Sequence, residues 1–340
     1  MAKSEAGVGK IRWGIIGAGR ISNDFVAAMT TLPAEHHQVI AVAARDVHRA
    51  EEFAGRFGIA KAVASYEELA EDPEIDVVYI GTVNPEHVKM CRLMLNHDKH
   101  VVCEKPLTLH LKDTVELFNL AKKKGRLLME AIWSRCFPAY QQLKQEVTNR
   151  TIGDPYLVIA NFGMNFPEAP GLSQRALGGG VLVNVGCYAL QLANLVFQNE
   201  KPVAVRACAT LNSDGVDETT VITLQYSDGA LANFIISVTV ELASSARIIG
   251  SEGDIEIKAP FLAPTEMKTP HKNYHYVLPF VDQKFPMNYM NASGLAYEAE
   301  EVRQCILAGK LECPWMTAAD SIWNAEIIEE ICKQIKVNYD

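Results

Sequence analysis

Strands and helices alternate over the first 132 residues, hydrophobicity of period two follows residue 202, and a glycine cluster joins the first strand to the first helix. Together these predict an α/β chain with a doubly wound parallel sheet at the N-terminus, then an α+β domain with a mostly antiparallel, open sheet. At 340 residues the chain exceeds what one hydrophobic core usually serves, so two domains are expected. We place them at residues 1–132 and 133–340.

The first strand ends in the apolar pair Ile15 and Ile16 and runs into Gly17-Ala18-Gly19. From Ile21 to Thr31, Ile21, Phe25 and Met29 fall on one helical face, so the turn opens a helix. Such a helix start offers unpaired N–H groups and partial positive charge, which suits a pyrophosphate. Gly17 permits the tight turn and Gly19 lets phosphate approach the backbone, as in the G-x-G-x-x-G turn of Rossmann domains, although Ser22 stands where the third glycine belongs. A dinucleotide site is therefore expected. The second strand, Gln38 to Ala44, ends not in a carboxylate but in Ala44-Arg45, with Arg49 a turn later. An arginine there suits a ribose 2′-phosphate, so NADP is the expected cofactor; Asp46 keeps NAD open. The absent carboxylate at position 44 also counts against an S-adenosylmethionine enzyme.

Further along, helices are expected at Val47–Phe57, Tyr66–Ala70, Glu86–Asn96 and Leu111–Lys124. Strands are expected near Ala62 and at Asp76–Thr82, His100–Cys103 and Leu127–Ile132. The second domain begins with a helix at Ala139–Val147, a strand at Tyr156–Phe162, the run Gly178-Gly179-Gly180 and an apolar helix from about Val185 to Phe197. Alternating strands then run from Pro202 to Ile257, with hairpin turns at Ser227-Asp228-Gly229 and Ser251-Glu252-Gly253. Helices at Leu295–Leu307 and Ala318–Ile335 finish the chain.

A net charge of −9 argues against nucleic acid or an anionic membrane as partner. The eight cysteines form no C-x-x-C pair and lie mostly in apolar segments, which reads as reduced core thiols of a cytoplasmic protein. The N-terminus has no apolar leader, no uncharged run is judged long enough to cross a membrane, and no metal is expected, since cysteines and histidines are not clustered in the sequence.

Ligands in such sheets bind outside the carboxyl ends of the strands. Three strand-end groups qualify: Thr82, Asn84 and His87; Glu104-Lys105-Pro106; and the stretch from Gly178 that contains Asn184 and Tyr188. Each also has a purely structural reading. Asn84 could cap a helix, Lys105 could be solvated, and Asn184 with Tyr188, four apart, could form a buried polar pair.

These landmarks, in this order, resemble the glucose-fructose oxidoreductase and inositol dehydrogenase (Gfo/Idh/MocA) family. Within it the chain is most similar to the dimeric dihydrodiol dehydrogenases, sharing Val-Ala-Ala-Arg-Asp at 42–46, Ser-Tyr-Glu-Glu-Leu-Ala at 65–70, Cys-Glu-Lys-Pro at 103–106 and Met-Glu-Ala-Ile-Trp at 129–133. The resemblance implies an NADP-dependent dehydrogenase of a vicinal trans-dihydrodiol or a cyclic aldose such as D-xylose, acting as a homodimer through its open sheet. It implies a cofactor site of Gly17, Gly19, Arg20, Ile21, Arg45, Arg49, Thr82, Asn84, His87, Glu104 and Lys105. It further implies Tyr188 as the proton-transferring residue with Lys105 beside it, and a substrate pocket of His87, Trp133, Arg135, Phe162, Asn184 and Tyr188. An ammonium beside a phenol would favour phenolate and make Tyr188 a base. The family's Asp four residues earlier is Asn184 here, which cannot act as a carboxylate base. That departure keeps open a non-catalytic NADP-binding sensor or scaffold, and a dehydrogenase of another polyol such as an inositol.

Overall fold

The structure, a computed structural model, describes residues 9–340. Its first sheet contains β1 (Ile11–Ile16), β2 (His37–Ala43), β3 (Lys61–Val63), β4 (Val77–Ile80), β5 (His100–Glu104) and β6 (Leu128–Ala131), all parallel, in the order β3-β2-β1-β4-β5-β6. Helices α1 (Arg20–Met29), α2 (Val47–Phe57), α3 (Tyr66–Glu71), α4 (His87–Asn96) and α5 (Leu111–Lys124) make the crossovers. Both faces of the sheet are covered, so its central strands are largely apolar. Trp13, Ile15 and Tyr79 enter one core, and Ile16, Val78 and Ile80 enter the other. Local chemistry sets the helix ends: the Asp46 carboxylate accepts the His48 N–H at the start of α2, and Ser65 caps α3 through the Glu68 N–H.

The second sheet follows α6 (Pro138–Thr148). It is built from β7 (Pro155–Gly163), β8 (Ala204–Leu211), β9 (Asp217–Gln225), β10 (Leu231–Ser237), β11 (Ala246–Gly250), β12 (Gly253–Ile257), β13 (Glu266–Lys268) and β14 (Asn273–His275), in the order β14-β13-β12-β11-β7-β10-β9-β8. Both hairpin turns expected from the sequence join neighbours in this sheet. One pair departs from the antiparallel pattern: β7 and β10 run parallel, with Leu157 opposite Leu231. The short helix α7 (Pro170–Ser173) leads to α8 (Cys187–Val196), which packs on β7. The last two helices, α9 (Leu295–Leu307) and α10 (Ala318–Ile335), return to the first sheet's layer and pack on α1 and α5.

Two readings of the sequence are corrected. The helical stretch Arg175–Val196 is long and apolar enough to cross a membrane, contrary to expectation, but 83% of its most apolar window is buried inside the fold. The cysteines, dispersed in sequence, are not all dispersed in space. Cys305 and Cys313 meet beside Glu301, and Cys136 reaches the Cys313 sulfur.

Candidate active site

The strand order reverses between β1 and β4, and the glycine turn lies at that point. Gly17 has φ +95°, and a Cβ there would lie 2.6 Å from the Gly81 carbonyl oxygen, so only glycine fits where β1 passes β4. Ser22 in place of the third glycine is explained at the same crossing: its hydroxyl lies against Gly81, where a Cβ would approach it to 2.3 Å. The side chain lost on the strand makes room for the one gained on the helix. Gly19 precedes α1 without a capping side chain. In front of it opens a cavity of about 260 Å³ lined by Ala18, Gly19, Arg20, Asn23, Arg49, Arg56 and Pro286–Asn288. Three guanidinium groups and a bare helix start give it the character of an anion site. The Pro286–Asn288 strap, which the sequence did not suggest, is held by the Asp24 carboxylate, which accepts the backbone N–H groups of Asn288 and Tyr289.

Deeper in the cleft, β4 and β5 end side by side. Glu104 is buried and accepts the Tyr79 hydroxyl at 2.5 Å, and burial raises its carboxyl above the usual range. The backbone N–H of Lys105 donates to it as well, at 3.3 Å, and the Lys105–Pro106 peptide is cis. His87 is fully buried, its ring between the carbonyls of Pro106 (2.8 Å) and Thr82 (3.2 Å). Burial lowers its basicity, and a neutral ring donates to only one of them. His87 therefore ties the two strand ends together. Beside it the Thr82 hydroxyl is buried with no partner among the described residues. An unpaired buried hydroxyl at the mouth of the glycine turn, with the anion cavity next to it, fits a polar dinucleotide.

Tyr188, in the first turn of α8, brings its hydroxyl to this cleft. It accepts the indole N–H of Trp133 at 2.6 Å, which leaves its own proton free to point elsewhere. The Lys105 ammonium lies 5.2 Å from the Tyr188 ring centroid and donates to the Asn184 carbonyl at 2.6 Å. The sequence suggested that this ammonium would make phenolate favourable. Instead burial dominates, with Cys187 and Glu104 adding to it and the Trp133 N–H opposing it, and the phenol is raised well above its ordinary value.

Asn184 and Tyr188 do not sit on one regular helical face, because Leu182–Gly186 forms a π-helical turn before α8. The wide turn swings Asn184 towards the glycine loop. Its amide nitrogen donates to the Gly178 and Gly180 carbonyls at 3.0 and 2.8 Å, while its oxygen accepts the Asn84 amide at 3.0 Å. Asn84 also donates to the Gly178 carbonyl, so the pair pins the glycine loop to the first sheet. A carboxylate at position 184 would face two carbonyl oxygens it cannot bond. We expect Asn184→Asp to cost about 1–3 kcal/mol, read as a lower urea midpoint with an unchanged m-value. An unaltered midpoint would remove the pin from this account.

Trp133, Phe162 and Tyr188 are buried in one apolar cluster. Arg135, expected in the pocket, is buried and fully engaged by its own chain. Its guanidinium bonds the side chain and, at 2.8 Å, the carbonyl of Gln191 and lies 3.7 Å from the Asp320 carboxylate, tying α8 to the start of α10. Arg45 is exposed beyond β2, and the exposed Arg49 donates to the Ala18 carbonyl at 3.1 Å. The sequence pattern gave no notice of Tyr79, Gly81 or Arg56, since each acquires its role only from a partner elsewhere in the chain.

Residues 11–132 match the model of an oxidoreductase family with an NAD-binding Rossmann fold, and residues 140–256 match the GFO/IDH/MocA C-terminal domain. Trans-1,2-dihydrobenzene-1,2-diol dehydrogenase from Danio rerio is 43% identical over 329 residues, covering 97% of this chain and 98% of its own. The enzyme of the same name from Homo sapiens is 39% identical over the same span, covering 97% and 98%. Among solved structures, the 3-ketoreductase KijD10 from Actinomadura kijaniata, in complex with NADP and TDP-benzene, superposes with a TM-score of 0.79 at 24% identity, covering 96% of this chain and 98% of its own. The aldose-aldose oxidoreductase from Caulobacter crescentus, complexed with glycerol, does so at 0.81 and 23%, with the same coverage. With both halves matched, and with relatives this similar along nearly the whole length, the chain belongs to the Gfo/Idh/MocA oxidoreductase family.

Proposed function

We propose that this protein is an NADP-dependent dehydrogenase that oxidises a vicinal trans-dihydrodiol to a catechol, or a cyclic aldose such as D-xylose to its lactone. Tyr188 exchanges the substrate hydroxyl proton and Lys105 assists. The observation that carries the reading is the Tyr188 hydroxyl, held by Trp133 beside the ends of β4 and β5 with Lys105 against its ring. Removing hydride from an alcohol carbon also requires losing the hydroxyl proton, and a positioned phenol is a group that can exchange it. Nicotinamide, when bound, supplies the hydride acceptor. The names of the relatives favour a dihydrodiol over an inositol.

For the cofactor, Asp46 supports NADP over NAD. Its carboxylate is taken up in capping α2, where it accepts the His48 N–H at 3.0 Å, which leaves Arg45 and Arg49 as the charged groups beyond β2. A homodimer through the second sheet is supported by its outer face, where Ile159, Leu231 and Ile235 are 38%, 38% and 39% exposed on neighbouring strands. The hydrogen bonds of Asn184 give the amide a structural role of its own, which supports the enzyme over the sensor.

Initial rates of NADP⁺ and NAD⁺ reduction with a trans-dihydrodiol, D-xylose and myo-inositol test the proposal. Turnover of the dihydrodiol or the pentose with NADP⁺ is expected. Turnover of inositol alone would move the substrate assignment, and saturable NADPH binding with no turnover on any substrate would establish a sensor.

A further inference from the structure

Two thiols and a carboxylate, from α9 and the loop before α10, converge where α9 ends. Glu301 and Cys305 are four apart on α9 and share one face, with the Cys305 sulfur 3.7 Å from a Glu301 carboxylate oxygen. Cys313, in the loop before α10, brings its sulfur to the same point, and the three ligand atoms all lie within 4.8 Å of one another. Cys136 is buried close to the Cys313 sulfur. Thiolate is the form that ligates metal. All three cysteines are buried, Glu301 is half-buried, and the covering stretch 308–312 is exposed, so local opening gives an ion access.

We propose that Cys305, Cys313 and Glu301 bind a soft or borderline divalent cation of the zinc type through two sulfurs and one carboxylate oxygen, with water in the fourth position. Tetrahedral zinc, with Zn–S bonds of about 2.3 Å, holds its donor atoms about 3.8 Å apart. The cluster reaches that spacing by a contraction of at most about 1 Å. Each ligating thiol releases its proton to solvent and no electrons move. The bound ion joins α9 to the loop before α10. Cys136, close to the Cys313 sulfur, ends the turn that carries Trp133, whose indole holds the Tyr188 hydroxyl, so the ion lies behind the cleft without touching a substrate.

The test uses the full chain, reduced and stripped with chelator, and titrated with Co²⁺ as an absorbing probe before Zn²⁺. One equivalent per chain is expected, with a near-ultraviolet thiolate-to-cobalt band that Zn²⁺ abolishes. The melting midpoint should rise by roughly 5 °C at saturating Zn²⁺. Glu301→Gln, at a half-exposed position that tolerates the change, should weaken binding about tenfold or more, whereas Cys208→Ser, at an exposed thiol outside the cluster, should change nothing. The proposal is overturned if the reduced protein takes up no stoichiometric Co²⁺. It is also overturned if the thiolate band survives in the Cys305→Ser/Cys313→Ser variant, or if the cluster merely forms a disulfide on peroxide treatment while the reduced form ignores both ions. Should the double cysteine variant lose its circular-dichroism spectrum, the wild-type titration and Glu301→Gln decide.

Discussion

Tyr188→Phe is expected to lower kcat for diol or aldose oxidation by about 10²–10⁴-fold, while NADPH still binds with near-normal affinity. The substitution removes only the hydroxyl. Trp133 loses its acceptor at 2.6 Å, but the ring keeps its place in the apolar cluster and its contact with Lys105. The pH dependence has a definite sign. Burial raises the phenol above its ordinary value near 10, so the protonated form prevails at neutral pH. Reduction, which needs the donor, should be flat up to about pH 10. Oxidation, which needs the deprotonated form, should climb with pH across the same range, and that climb should vanish in the variant. A Tyr188→Phe enzyme with unaltered rate and pH profile would show that another group moves the proton.

The second large effect concerns cofactor choice. Arg49 lines the anion cavity and the exposed Arg45 follows β2, and charge-assisted bonds from arginine to phosphate are the strong ones. Replacing both with alanine should raise KM for NADP⁺ about 100-fold or more, at about 1.5–3 kcal/mol per lost charged contact, and move KM for NAD⁺ by less than about threefold. Arg49→Ala alone should give the smaller part of the effect, because its guanidinium also donates to the Ala18 carbonyl and so helps to shape the turn. Equal losses for both cofactors would place the arginines on the shared pyrophosphate instead of the 2′-phosphate. Fluorescence titration with each cofactor separates the two results, since binding is read without turnover.

The sequence by itself determined the doubly wound sheet, the glycine turn, both hairpins of the second sheet and the last two helices. These are written in local terms: an apolar run that ends in Gly17-Ala18-Gly19, a Ser-Asp-Gly turn between alternating strands, a helical period from Leu295 to Leu307. The family's motifs marked Lys105 and Tyr188 because each lies within a few residues of its own landmark. Only the tertiary structure decided what depends on partners far along the chain. Ser22 is tolerated because Gly81, nearly sixty residues on, has no side chain, and Asn184 is an amide because Asn84 and two glycine carbonyls surround it. Arg135 is held by Gln191 and Asp320. The balance at Tyr188 turned on burial, which no spacing of residues encodes, and the thiols of Cys136, Cys305 and Cys313 became neighbours only when α9 folded back onto the first sheet's layer. Local periodicity fixes elements, whereas the protonation of a phenol or the company of a sulfur is set by whatever the fold packs around it.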